Sequence, residues 1–263
     1  MLHRLAFALL LALAAFNHAA AQSVVVCWGD SILAGFNATG DTTTPYGPAP
    51  FGDPIPGAYR WNAATQSWGP VTPYQNFFGT SADPIYGFAA GWRRFHGGEV
   101  YIIALAVSGS DATPTHPNPA ASWHPSVAGG AFERLTQDHL APALATLAQP
   151  DLRAVMFATG NNFWTPNLAS DINAVNAALS TYVPWSNPRY LGIKTYLGTV
   201  NDAQSLLQRQ SLDAWASPSS RRHRVETVSI PGRTGGLADG FHLTHYGSIF
   251  LGFWAALTEF FQL

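Results

Sequence analysis

The chain is short of several things, and each shortage narrows what it can be. It has one cysteine, Cys27, so no disulfide can form within it. Cys27 lies in an apolar stretch and reads as a packing residue. Charged residues make up only 11% of the 263 positions, and the net charge is −2. Nothing in that balance points to nucleic acid or anionic lipid as a partner. His116, His124 and His139 show no ligand spacing that repeats on one face, and no cysteine assists them, so neither a metal nor another cofactor is expected. The longest uninterrupted apolar run, 5–16, falls short of the about 20 residues that span a bilayer.

That run has its own meaning. It follows Arg4 and precedes Ala19-Ala20-Ala21. A basic start, a short apolar core and a small-x-small site describe a secretory signal peptide, removed before Gln22. The alternative, a membrane anchor, suffers from the run's shortness. Residues 1–21 are thus expected to direct export to the periplasm or the medium, and 22–263 to fold as a single domain.

Within 22–263, the stretches 24–28, 100–107, 153–159, 190–197 and 224–230 read as strands. The first three are almost unbroken apolar runs, as parallel strands covered on both faces require. Helical patterns at 131–147, 168–182, 203–215 and 244–261 alternate with them, with Pro142 a kink and Asn167 or Ser170 a cap. The alternation predicts an α/β fold, a three-layer α/β/α sandwich around a parallel sheet. One segment, 40–80, breaks the pattern. It is rich in Pro, Gly, Thr and aromatic rings and reads as a long loop leaving the end of the first strand. It either forms a cap packed by its own rings or walls a binding site.

Four short blocks carry possible chemistry. Ser31, in "GDSI", stands just past the first predicted strand, where open α/β sheets place their ligands. A serine nucleophile needs a base, and the base an orienter. "DGFH" supplies both on one loop: Asp239 and, three residues on, His242. A carboxylate beside an imidazole fixes its tautomer and steadies the cation formed on proton abstraction. The second predicted strand is followed by "VSGS", with Gly109, and the third by "TGNN", with Gly160, Asn161 and Asn162. A backbone N–H and a side-chain amide are suitable donors to the oxyanion of a tetrahedral acyl intermediate. Each block alone also suits an ordinary turn. Their recurrence after successive strands is what points to a site.

In their order along the chain, Ser31, Gly109, Asn162 and His242 resemble the four blocks of the SGNH, or GDSL-type, hydrolases. The resemblance covers nearly all of 22–263. It implies a flavodoxin-like esterase fold, with Asp239 completing a triad and Ser31, Gly109 and Asn162 forming the oxyanion hole. Within that family, "YRWNAATQSWGPVTP" at 59–73 and "SGSDATPTHPNPAASWHP" at 108–125 are most similar to the carbohydrate acetylesterases related to sialic-acid-specific acetylesterase. The third block departs from the family pattern. Its usual acidic residue is missing, and either asparagine can supply the amide; the Gly-x-Asn spacing selects Asn162 over Asn161.

Together with the export expected from 1–21, the resemblance implies an exported serine esterase acting on a small-molecule or polysaccharide ester, with acetylated carbohydrate ahead of lipid and aryl esters. A non-catalytic carbohydrate-binding protein on the same scaffold is the alternative from another class.

Overall fold

A computed structural model describes residues 21–34, 53–73, 83–194, 202–226, 243 and 245–261. The segment 1–20, residues 40–52 and 74–80 of the aromatic loop, and the pair Asp239 and His242 lie outside the described residues.

Seven strands form one sheet. In chain order they are β1 (Gln22–Gly29), β2 (Ala58–Asn62), β3 (Ser67–Pro70), β4 (Val100–Ala106), β5 (Pro150–Ala158), β6 (Arg189–Lys194) and β7 (Arg222–Glu226). Their spatial order is β3-β2-β4-β1-β5-β6-β7, parallel except for the β2–β3 pair. The three-layer α/β/α class is as expected. The hairpin is not. Residues 58–70, read as loop, extend the sheet by pairing β2 beside β4. Tyr59 and Trp61 alternate along β2, and Trp61 meets Trp68 of β3 edge-on, ring centroids 5.3 Å apart. Rings at alternate positions are strand chemistry even among glycines and prolines.

Every second residue of the central strands faces one core. Val25, Cys27, Ile102, Ala104, Ala154 and Met156 face one side, while Val24, Val26, Trp28, Ile103, Val155 and Phe157 face the other. The first side is covered by α1 (Ser31–Ala34), α2 (Pro84–Phe95) and the C-terminal α7 (His245–Phe261). The second is covered by α3 (Ala131–Leu135), α4 (Ala141–Ala145), α5 (Leu168–Ser180) and α6 (Asp202–Ala216).

α2 is a helix beyond those expected, although Asp83-Pro84 is a start signal: the Asp83 carboxylate accepts from Ile85 N at 3.0 Å, and proline takes the first turn. The kink expected at Pro142 is a one-turn π segment, Thr136–Leu140, joining α3 to α4. Proline has no N–H for the carbonyl four residues back, and Ala141 N bonds Thr136 O, five back, instead. At the start of α5, Asn167 occupies the cap position without a side-chain capping bond, and Ser170 Oγ donates to Asn167 O at 2.7 Å. Among the described residues, no helix is long and apolar enough to cross a membrane.

The topology fixes where a ligand can enter. From β1 the chain runs to β4 on one side, and later returns to β5 on the other. Connections that leave a strand in opposite directions open a crevice at its carboxyl end. Three turns border that crevice: 29–31 after β1, 107–111 after β4 and 159–163 after β5.

Candidate functional site

The turn after β1 is held closely against β5. Gly29 has φ +143°, and a Cβ there would strike Ala158 O. Only glycine allows that approach. The next residue, Asp30, donates its N–H to Ala158 O at 3.0 Å. Ser31 follows as the first residue of α1 and is buried.

Asp30 is itself fully buried. Its carboxylate accepts from Ile32 N at 3.0 Å, capping α1, and from Asn161 Nδ2. Burial pushes its pKa up to about 7; the bonds from Asn161 and Ile32 oppose that rise, and the charge of Asp111 adds to it.

Gly109, after β4, has φ +73°, and its carbonyl lies 3.0 Å from His116 Nε2. The neighbouring Ser110 Oγ lies 2.9 Å from Gly29 O and 2.7 Å from Val107 O, and accepts from Trp123 Nε1 at 2.8 Å. Trp123 is fully buried beside Trp28, with ring centroids 5.7 Å apart. The stretch 108–125 thus folds back beneath the 29–31 turn and holds it.

After β5, Gly160 has φ +83°, and a Cβ there would press on Leu168 and Gln208. The two asparagines that follow separate cleanly. Asn161 is buried and spends its amide on Asp30. Asn162 is half-buried and reaches across to Ser110 O at 3.3 Å.

The residue that organises these turns was not singled out from sequence. Asp111, buried, accepts four hydrogen bonds: Thr159 Oγ1 at 2.6 Å, Ala112 N at 2.8 Å and Gly160 N at 2.9 Å on Oδ1, and Phe163 N at 2.7 Å on Oδ2. Burial raises its carboxyl above the usual range against the pull of those bonds. The third block lacks its acidic residue, and a carboxylate from the second block occupies the turn instead. Local pattern could not reveal this, since Asp111 meets partners 48 to 52 positions away.

Of the expected site residues, Ser31, Gly109 and Asn162 stand on adjacent turns of the crevice. Asp239 and His242 lie outside the described residues, but Leu243, next in sequence, packs against the same core cluster as Ile32 and Leu33. Among the described residues no group of three His, Cys, Asp or Glu could hold a metal.

No protein-family model matches the chain, and no curated protein matches it. Solved structures do. A protein of Arabidopsis thaliana matches with TM-score 0.68 at 12% identity, over 91% of this chain and 98% of that one. NanS matches with TM-score 0.56 at 12% identity, over 91% and 98%. A carbohydrate acetylesterase from Xanthomonas citri matches with TM-score 0.56 at 14% identity, over 86% of this chain but 54% of that one. At such identities the likeness is one of fold: the α/β/α fold that the resemblance to SGNH hydrolases implied.

Proposed function

We propose that the protein is an exported serine esterase that removes acetyl groups from a carbohydrate. Ser31 Oγ attacks the ester carbonyl while His242, oriented by Asp239, takes its proton. The tetrahedral oxyanion is met by Ser31 N–H, Gly109 N–H and the Asn162 amide. Collapse of the intermediate breaks the bond to the sugar oxygen, which leaves with the proton from His242. Water, deprotonated by His242, then attacks the acyl-serine and frees acetate.

The observation that carries this function is the convergence of three turns at the switch point, each tied to the next. Asn161 bonds Asp30 beside Ser31, and Asn162 bonds Ser110 beside Gly109. An amide has two N–H groups; Asn162 gives one to Ser110 O, and the other can serve an oxyanion. Export rests on the segment 1–21, and the choice of an acetylated sugar rests on the carbohydrate acetylesterase among the similar folds.

The test is hydrolysis of 4-nitrophenyl acetate, 4-nitrophenyl butyrate and acetylated xylan by residues 22–263. Acetyl esters should turn over fastest. Ser31→Ala and His242→Ala should each lose about a thousandfold or more, while His245→Ala keeps most activity. Full activity in Ser31→Ala would overturn the mechanism. Inertness of the wild type toward every ester would favour a carbohydrate-binding protein, and preference for butyrate a lipid or aryl esterase.

A further inference from the structure

A second cleft opens at the other end of the sheet, where β5, β6 and β7 begin. It has a volume of about 480 Å3, and its walls include Arg153, Trp185, Arg189 and Arg221. β5 runs nine residues between this end and the crevice. At about 3.3 Å per residue, the two ends of the sheet lie about 30 Å apart.

Trp185 is 70% exposed, the most exposed large apolar side chain among the described residues. It is nevertheless held in place. Its Nε1 donates to Pro150 O at 3.0 Å, and the adjacent Ser186 Oγ accepts from Leu152 N at 2.8 Å. An indole fixed by one edge while its surface stays in water gains little for folding. It is preorganised to receive a flat, partly apolar ligand, because the rotamer entropy is already lost.

The arginines give that ligand a charge. Arg221 donates to Asn187 O, which fixes its guanidinium in the cleft that Trp185 also lines, and no carboxylate among the described residues pairs with it. Arg189 is held by Glu259, at 2.5 Å from its backbone oxygen and 3.2 Å from Oε1. That same carboxylate also binds His96. Arg153 pairs at 3.2 Å with Asp151. Three guanidinium groups thus face two carboxylates, and the buried one, Glu259, is spent on His96 and Arg189.

The geometry points to a binding site for a carboxylated sugar, held apart from the crevice that contains Ser31. The C–H face of a pyranose ring lies on Trp185, and its carboxylate meets the fork of Arg221, with Arg189 and Arg153 adding to the field. The ring separates this ligand from a simple anion, and the guanidinium separates it from a neutral sugar. The site does not depend on ester hydrolysis, and would hold an acidic glycan about 30 Å from Ser31.

Calorimetric titration of residues 22–263 with trigalacturonic acid, its methyl ester and inorganic sulfate tests the inference. The acid should bind with a Kd below about 1 mM, and the neutral ester at least about tenfold more weakly. Trp185→Ala and Arg221→Gln should each weaken the acid by at least about tenfold, with thermal stability and 4-nitrophenyl acetate hydrolysis unchanged. Equal binding of the methyl ester would remove the role of the arginines. Sulfate binding as tightly as the acid would reduce the cleft to an anion site. Unaltered binding in both variants, or self-association that disappears in Trp185→Ala, would overturn the proposal.

Discussion

The two ends of the sheet treat polar groups in opposite ways. At the carboxyl ends the charges point inward: Asp30 and Asp111 are fully buried and spend their oxygens on backbone and amide groups of neighbouring turns. At the amino ends, the buried Glu259 apart, they point outward: Arg153 is half-exposed, Arg189 is partly so, and Trp185 stands in solvent. The first arrangement costs free energy and yields a fixed backbone. With a folded pKa of about 7 against 3.8, Asp30 opposes folding at neutral pH by about 4 kcal/mol. Its strand neighbours Val24, Val25, Val26 and Trp28 each contribute about 1.5–3 kcal/mol by burial, which is ample to offset it. The outward arginines Arg153 and Arg221 cost almost nothing, because they keep their water. The first end spends folding energy on fixed turn geometry; the second leaves its groups accessible.

Substitutions at the two ends should therefore differ in kind. Asp111→Ala leaves Gly160 N–H and Phe163 N–H without an acceptor, and should cost about 3–5 kcal/mol by chemical denaturation, with a loss of turnover. A cost under about 1 kcal/mol would show that the inward network does not hold the turns.

Asp30 gives the next effect. Between pH 3.8 and about 7 the folded chain keeps a proton that the unfolded chain has released. Stability should fall as pH rises through that window, by up to about 4 kcal/mol, and then level off. Thermal melts of Asp30→Asn should lack that slope; an unchanged slope would place its origin elsewhere.

The asparagine pair sharpens the contrast within one end. Asn162→Ala should lower kcat by about a hundred- to a thousandfold with little change in KM. Asn161→Ala should instead lose about 1–3 kcal/mol of stability, because Asp30 is left buried without its amide. Steady-state kinetics beside denaturation curves would separate them, and the reverse outcome would exchange their roles. The smallest effect belongs to the other end: Trp185→Ala should shift stability by no more than about 0.5 kcal/mol.

Much of this fold was legible because β1, β4 and β5 are long apolar runs whose burial leaves no other arrangement. The expected ends of those strands placed Ser31, Gly109 and Asn162 on neighbouring turns. What escaped was set by distant partners. β2 and β3 were hidden by Gly and Pro, and become strands because β2 completes hydrogen bonds to β4. Asp111 looks like one more turn residue until Thr159 and Phe163 are folded onto it. Trp185, next to Pro184, reads as ordinary loop, and only the folded chain shows it pinned and uncovered.

The central claim is that Ser31 is the nucleophile. Residues 22–263 treated with a fluorophosphonate, digested and measured by mass spectrometry test it most directly. One phosphonyl adduct on the peptide containing Ser31, lost in Ser31→Ala along with inhibition of esterase activity, is the predicted result. An adduct on another residue, or inhibition that persists in Ser31→Ala, would contradict it.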